Sequence, residues 1–359
     1  MPEKLKSLLD EQVERAGLLP PALDVITAAG DRRLQRRRLT ISAGGLAVVL
    51  VLAGGVFAIQ HRDSGRSPEP ARQGLGPYAE PRPTWAVGSA LHYGDLVIDF
   101  GRQVDAFVRT GAGFVAVSSG EVWSVDDDGA TGVGRVSQGA PQPVTDGEVG
   151  LAAWTEGESP DREVVVLDQR SRRVERYAEG EDAEVLGIDS RWVYWRTAAG
   201  VVSLELDTGE EDLQVRGDPA RAIAASSAEI ARTVDHGLRL VEGGTSTLLR
   251  GAGTELMSFA PDSRWAVSST GAGRPVVHDL HTGRVIEVDL DGWEFGLGQG
   301  WLDQRHLLVG ARRAGGDGTV ELLECQIPRG VCAPVASISP TEQATYGYAL
   351  PWRTPGEAG

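Results

Sequence analysis

The chain has 359 residues, 41% of them hydrophobic, with nine Trp, 47 Gly and a formal net charge of −16. This apolar content excludes a disordered acidic chain, because such a chain lacks the groups needed to bury a core. The acidic balance argues against a nucleic-acid partner, since a surface that faces phosphate must carry a basic patch. We therefore expect a folded protein with many turns.

The first 38 residues differ in charge from the rest. Residues 1–38 hold eight Lys/Arg against six Asp/Glu, whereas residues 84–359 hold 23 against 42. Apolar residues at helical spacing predict one amphipathic helix over residues 3–16. Two interpretations stay open for residues 1–38: contact with anionic lipid headgroups, or docking of a cytoplasmic protein partner.

Residues 39–60 contain no charged side chain. As a helix they would be about 33 Å long, enough to cross a hydrocarbon core of about 30 Å. An arginine cluster lies just before this span: Arg32, Arg33, Arg36, Arg37 and Arg38. By the positive-inside rule it holds the N-terminus in the cytoplasm. We expect a single-pass protein of the cell membrane, in contact with the lipid bilayer.

A cleaved export signal is the alternative interpretation of the same segment. Arg36 and Arg37 before a weakly apolar, Gly-rich stretch also suit a twin-arginine signal, with a cleavage site after Ala58. In either case residues 61–85, rich in Pro, Gly and Ser, read as an extended tether. Residues 86–353 then form the extracytoplasmic domain.

This domain contains an internal repeat of about forty residues. The sequence Asp189-Ser190-Arg191-Trp192 recurs at residues 262–265 and, more loosely, at residues 303–306. Apolar strands begin at or near residues 114, 154, 192, 230, 265 and 306, which are 35 to 41 positions apart. Such a period is typical of the blades of a β-propeller.

Turn residues follow each of these strands and predict hairpins. The predicted third strands are Glu121–Asp126, Glu163–Asp168, Val201–Asp207, Leu238–Glu242, Pro275–Leu280 and Val320–Gln326. Each turn then leads to a fourth, outer strand. The fold class is therefore all-β, a β-propeller of four-stranded blades preceded by one transmembrane helix and a short helical tail.

The blade count depends on the ends of the repeat region. A hairpin of residues 90–93 and 96–100 precedes the first complete unit, and an apolar strand is predicted over Thr345–Leu350. A ring closes well when strands from both chain ends share one blade. We expect seven blades, with six as the alternative.

One repeat unit resembles a known family pattern. Residues 259–267, FAPDSRWAV, followed by residues 277–284, VHDLHTGR, are similar to blades of WD-repeat and TolB-like propellers. The Gly-His and Trp-Asp landmarks of strict WD repeats are absent, which favours the TolB-like group. The order of tail, span, tether and propeller resembles uncharacterised single-pass actinobacterial membrane proteins. This resemblance implies a fold more firmly than a function.

Cys325 and Cys332, the two cysteines of the chain, flank the turn at Pro328-Arg329-Gly330. At hairpin positions outside the membrane they are expected to form a structural disulfide. A metal-binding pair or free thiols are the alternatives.

The other candidate sites in the sequence are weak. His278 and His281 lie three residues apart near a turn and are read as solvated turn residues rather than metal ligands. Asp126–Gly129 and Asp289–Gly292 lack the full calcium-loop pattern. We expect no metal, no cofactor and no catalytic residue.

Tryptophan is the remaining candidate for a binding role. Most Trp side chains are expected to pack between blades, but Trp293 and Trp301 lie near loop ends and are candidate ligand-binding residues at the mouth of the ring. The sequence thus favours a non-enzymatic binding, sensing or scaffold module. The alternative is a cell-envelope enzyme that acts on a sugar or peptide at that mouth.

Overall fold

The computed structural model describes residues 78–137, 142–177, 183–216, 222–226, 229–234, 237–242, 245–249, 257–269, 274–294 and 299–351. Three predicted features lie outside these residues: the tail of residues 1–38 with its arginine cluster, the span of residues 39–60, and residues 61–77 of the tether. Among the described residues, no helix has the length and apolarity needed to cross a membrane.

Seven antiparallel sheets form the seven blades of a β-propeller, numbered here along the chain. Blade 1 contains β1 (Thr84–Val87), β2 (Ala90–Tyr93), β3 (Leu96–Asp99) and the C-terminal strand β29 (Tyr348–Ala349). Blade 2 contains β4 (Ala106–Arg109), β5 (Phe114–Ser118), β6 (Glu121–Asp126) and β7 (Gly129–Arg135). Blade 3 contains β8 (Val144–Thr145), β9 (Leu151–Glu156), β10 (Glu163–Asp168) and β11 (Arg173–Tyr177).

The remaining blades repeat this order. Blade 4 contains β12 (Glu184–Ile188), β13 (Trp192–Thr197), β14 (Gly200–Glu205) and β15 (Glu211–Arg216). Blade 5 contains β16 (Ala222–Ser226), β17 (Glu229–Val234), β18 (Gly237–Glu242) and β19 (Thr245–Leu249). Blade 6 contains β20 (Met257–Phe259), β21 (Trp265–Ser269), β22 (Pro275–Asp279) and β23 (Val285–Glu287). Blade 7 contains β24 (Trp293–Glu294), β25 (Gln299–Trp301), β26 (His306–Arg313), β27 (Val320–Gln326) and β28 (Val331–Ile338).

The predicted repeat corresponds to real structural equivalence between blades. In blades 4, 6 and 7, the arginine of the repeated motif accepts a main-chain hydrogen bond at its carbonyl oxygen from the residue after the third strand. The pairs are Leu206 N to Arg191 O at 2.8 Å, Leu280 N to Arg264 O at 3.0 Å and Ile327 N to Arg305 O at 2.8 Å. The third strands β6, β10 and β27 begin and end at the predicted residues.

The aspartate of the repeated motif shapes the turn between the first and second strands. The Asp189 carboxylate accepts hydrogen bonds at Oδ1 from the N–H groups of Arg191 and Trp192, both at 2.8 Å. Asp303 Oδ1 accepts the same two bonds from Arg305 and His306. Aspartate is common in such turns because its short side chain reaches main-chain N–H groups two and three residues on.

Blade 1 is assembled from both ends of the chain, as expected for seven blades. The strand β29 pairs with β1, so that Ala86 lies opposite Ala349. The predicted strand over Thr345–Leu350 is wrong in its bounds, because helix α1 (Pro340–Tyr346) occupies its first part. Ser339 starts this helix with a capping box, in which its side chain accepts a hydrogen bond from the N–H of Glu342.

The ring has two faces that differ in their connections. On the turn face lie the turns between first and second strands and those between third and fourth strands. On the linker face lie the hairpins between second and third strands and the links between blades. Tyr78 lies on the turn face, since its hydroxyl donates to Asp127 in the β6–β7 turn at 2.7 Å. The core lies between adjacent blades, where Trp154, Trp195 and Phe107 are fully buried.

Candidate ligand site in the central channel

The inner strands of the blades surround a central cavity of about 370 Å³. All seven blades contribute to its wall, blade 1 through Thr84 and Pro351 and blade 7 through Trp301 and Leu302. Apolar side chains such as Val108 and Ile188 cover part of the wall. A cavity of this size and mixed lining is typical of a small-molecule site.

Arg109 lies at the turn-face mouth of this cavity and is almost fully buried. Its Nη1 donates to the carbonyl of Tyr78 at 2.6 Å, and its Nη2 donates to the carbonyl of Leu302 at 3.1 Å. Burial lowers the pKa of Arg109, although neighbouring acidic groups oppose this effect. The guanidinium therefore links blade 7 with the segment that precedes blade 1. It also places a positive charge at the mouth.

Asp146 lies beside Arg109, in the turn that follows β8. Its Oδ1 accepts hydrogen bonds from the N–H groups of Glu148 at 3.1 Å and Val149 at 3.2 Å. Gly147 has a φ of 75°, a conformation that favours glycine, and a Cβ placed there would lie 4.0 Å from Nη2 of Arg109. This turn is the blade-3 equivalent of the Asp189 turn in blade 4.

The second carboxylate oxygen of Asp146 has no hydrogen-bond partner among the described residues and is buried, although part of the residue remains exposed. Burial raises the pKa of Asp146 to about 7, against the opposing effect of the two main-chain N–H donors. A buried oxygen without a partner carries a free-energy cost of about 1–3 kcal/mol. A bound group that donates a hydrogen bond there would remove this cost.

The wall toward the linker face carries a structural ion pair. Arg196 donates through Nε to Oε2 of Glu184 at 3.0 Å and through Nη2 to the same oxygen. Its Nη1 donates to the carbonyl of Ala222 in blade 5 at 3.1 Å. This pair links blades 4 and 5, and its charges are satisfied within the wall.

The two predicted ligand-binding tryptophans lie in different places. Trp301 lines the central cavity, and its indole N–H donates to the carbonyl of Ser258 at 3.2 Å. Trp293 is not among the lining residues. It begins β24, and the guanidinium carbon of Arg313 lies 4.2 Å from its ring centroid.

The interpretation of His278 as a solvated turn residue is wrong. Its side chain is 3% exposed, and its Nε2 lies 3.1 Å from the hydroxyl of Ser268, which is also fully buried. Burial lowers the pKa of His278 to about 4. His281 is exposed, so the two histidines do not share a site. The described residues contain no group of three or more His, Cys, Asp or Glu side chains placed to hold a metal ion.

The predicted disulfide is present. Cys325 and Cys332 lie opposite each other in β27 and β28 and are joined by a bond between their sulfur atoms. Cys325 is fully buried. The cross-link therefore fastens the last long hairpin of the ring.

Sequence reasoning missed Arg109 and Asp146. Residues 145–148 read TDGE, which lacks the Asp-Ser-Arg-Trp motif that marks the equivalent turn in blades 4 and 6. The available signal was an aspartate before the second strand of a repeat unit. Arg109 carried no signal, because its partners Tyr78 and Leu302 are remote in sequence.

No protein-family model matches this chain, and no curated protein matches it. Solved structures do resemble it. The tricorn protease shares 11% identity at a TM-score of 0.43, over 71% of this chain and 31% of the protease chain. A chain of the mitotic checkpoint complex shares 10% identity at 0.45, over 80% and 89% of the two chains. The β-propeller domain of Myceliophteria thermophila Cps50 (Swd1) shares 15% identity at 0.34, over 50% and 62%.

The seven sheets themselves make the chain a seven-bladed β-propeller. It spans about a third of the length of the tricorn protease chain. At these identities the similarities concern the fold alone.

Proposed function

We propose that this chain is a membrane-anchored, extracytoplasmic propeller of the TolB-like group that binds a small ligand in its central channel. It acts as a non-enzymatic binding, sensing or scaffold module, and residues 1–38 relay its state to a cytoplasmic partner. The sequence order of basic tail, apolar span, Pro-rich tether and repeat supports the anchoring. The observation that carries the binding function is the unpartnered oxygen of Asp146 in the wall of the cavity.

Ligand-observed NMR on the full chain in detergent tests the binding function. The compounds are glucose, N-acetylglucosamine, alanyl-alanine and lysine. We expect at least one to bind to the wild-type chain and to lose binding in Ser226→Trp, because Ser226 lines the cavity in blade 5 and an indole there would narrow the channel. Ser246→Trp is the matched control, since Ser246 is exposed on the outer strand of the same blade.

Circular dichroism and thermal melting first establish that both variants fold. Failure of all four compounds to bind, or binding that survives in Ser226→Trp, would contradict a ligand site in the channel.

An alkaline phosphatase fused after Gly359 reports on which side of the membrane the propeller lies. It is expected to be active, because that enzyme matures outside the cytoplasm.

A cell-envelope enzyme that acts on a sugar or peptide is the second candidate. The observation that favours it is a carboxyl group of raised pKa in the channel wall, since general acids are often carboxyls whose pKa is raised by burial. Asp146 would then donate a proton, and Glu148 or Asp189 would supply the second carboxylate of the site. Conversion of a bound compound during the NMR titration, abolished in Asp146→Asn, separates this candidate from pure binding.

A further inference from the structure

The turn-face mouth of the channel has a specific chemical requirement at Asp146. One carboxylate oxygen of this residue is occupied by two main-chain N–H groups, while the other is buried without a partner in the described part of the chain. An ionised carboxylate in such a place accepts a hydrogen bond from a charged donor more strongly than from a neutral one. The oxygen therefore favours a ligand group that both donates and carries positive charge.

The charges around Asp146 also favour a cation. Glu148 on the same turn and Asp189 from blade 4 both raise its pKa by repulsion, and both line the cavity. Arg109 from blade 2 places a positive charge at this mouth, but its Nη1 and Nη2 donate to main-chain carbonyls rather than to a carboxylate. An ammonium group beside Asp146 would relieve the repulsion from Glu148, and an anion would increase it.

The geometry suits an organic ammonium better than a metal ion. Asp146 offers one oxygen to the cavity, which matches one N–H donor, whereas hard metal cations bind six or more oxygens. The cavity of about 370 Å³ also has apolar wall residues, such as Val108 and Ile188, that can contact the carbon atoms of a ligand. A small organic molecule fills this space and a bare ion does not.

We propose that the turn-face mouth binds the ammonium group of a small organic amine, with Asp146 as its counter-ion. This inference rests on the proposed binding function and names the ligand class for that site. Its consequence is a proton-linked affinity, since a proton and an ammonium group compete for the same carboxylate. Between pH 8 and pH 6, with the pKa of Asp146 at about 7, the affinity should fall about tenfold.

Three five-carbon compounds of equal length test this assignment by isothermal titration calorimetry on the full chain. They are 1,5-diaminopentane, which is cationic, 1,5-pentanediol, which is neutral, and glutarate, which is anionic. All three are too polar to enter detergent micelles, and the diamine stays charged at both pH values because alkyl ammonium groups have pKa values near 10. We expect the diamine to bind best at pH 8.

Asp146→Asn tests the counter-ion directly. The asparagine oxygen can still accept the two turn N–H groups, but the charge is lost, so the affinity for the diamine should fall at least tenfold and lose its dependence on pH. Asp95→Asn is the matched control, because Asp95 is exposed in the turn between β2 and β3 and should leave binding unchanged.

The outcomes separate this inference from the binding function on which it rests. Glutarate or the diol binding as tightly as the diamine, with loss of binding in Ser226→Trp, would overturn the ammonium assignment while keeping the channel as a binding site. Diamine binding that is equal in Asp146→Asn and wild type would overturn the role of Asp146. No binding by any of these compounds or by the earlier four would overturn both.

Discussion

Asp146 and His278 are ionisable side chains in different parts of the ring, and burial shifts their pKa values in opposite directions. The pKa of Asp146 is raised to about 7, so its contribution to stability is complete below its usual pKa and is lost as the pH rises through 7. The pKa of His278 is lowered to about 4, so its contribution is complete above its usual pKa of 6.5 and is lost as the pH falls toward 4. The two effects oppose each other over the same range.

Replacement of His278 separates these effects. Near pH 4.5 the unfolded chain binds a proton at His278 and most folded molecules do not. This difference lowers the free energy of unfolding of the wild type by about 2 kcal/mol relative to pH 7. In His278→Gln this acid-dependent loss should disappear. Urea unfolding at pH 7 and pH 4.5 measures it, with His281→Gln at the exposed neighbouring histidine as control. An equal loss in His278→Gln and wild type would contradict the assignment.

At the scale of elements, β27 and β28 are the pair of strands in blade 7 that is joined by a disulfide as well as by main-chain hydrogen bonds. It combines strand pairing along seven or eight residues with the bond between Cys325 and Cys332. Loops closed by short cross-links still stabilise a fold, because they restrict the unfolded chain. The disulfide therefore adds to an element that is already held by main-chain hydrogen bonds.

Reduction of this disulfide should lower the free energy of unfolding by about 2.5 kcal/mol, the value expected from chain entropy for a loop of about eight residues. The measurement is urea unfolding of the wild type with and without reductant. The double variant Cys325→Ala/Cys332→Ala should resemble the reduced protein and should not respond to reductant. A change below about 0.5 kcal/mol in the wild type would show that the hairpin does not need the cross-link.

Elements with strong local signals could be predicted from the sequence. The third strands β6, β10 and β27 agree with prediction because alternating apolar residues end at a clear turn. Helix α1 was missed, although Ser339-Pro340 with Glu342 is a helix-start signal, because apolar residues further on favoured a strand. The inner strands of blades 2 to 7 were not predicted, because they contain only two to five residues, too few for a periodicity, so most of the residues that line the cavity were not predicted either.

At the scale of the whole molecule, ring closure includes a packed contact between blades 1 and 7. Leu350, just after β29, packs with Leu302, Leu308 and Leu322 of blade 7 in one buried cluster. Arg109 strengthens the same junction through its bonds to Tyr78 and Leu302. This cluster and these hydrogen bonds therefore help to hold blades 1 and 7 together.

Substitution of Leu350 should affect the whole ring. Leu350→Ala removes a side chain that is 3% exposed and should lower the free energy of unfolding by about 2–4 kcal/mol. Leu96→Ala, an identical change at an exposed position of the same blade, should alter it by less than about 0.5 kcal/mol. Trp fluorescence during urea unfolding measures both. Similar losses in the two variants would show that closure at Leu350 does not limit stability.

The pairing of Ala86 with Ala349 also sets the order of events during synthesis. Strands β1 to β3 leave the ribosome before blades 2 to 7, but their inner partner β29 is made after those blades. Blade 1 therefore lacks its fourth strand while the other six blades are translated. Pairing between such distant segments is slow to form. The ring therefore closes only after blades 2 to 7 have been made, and until then the inner edge of blade 1 is open.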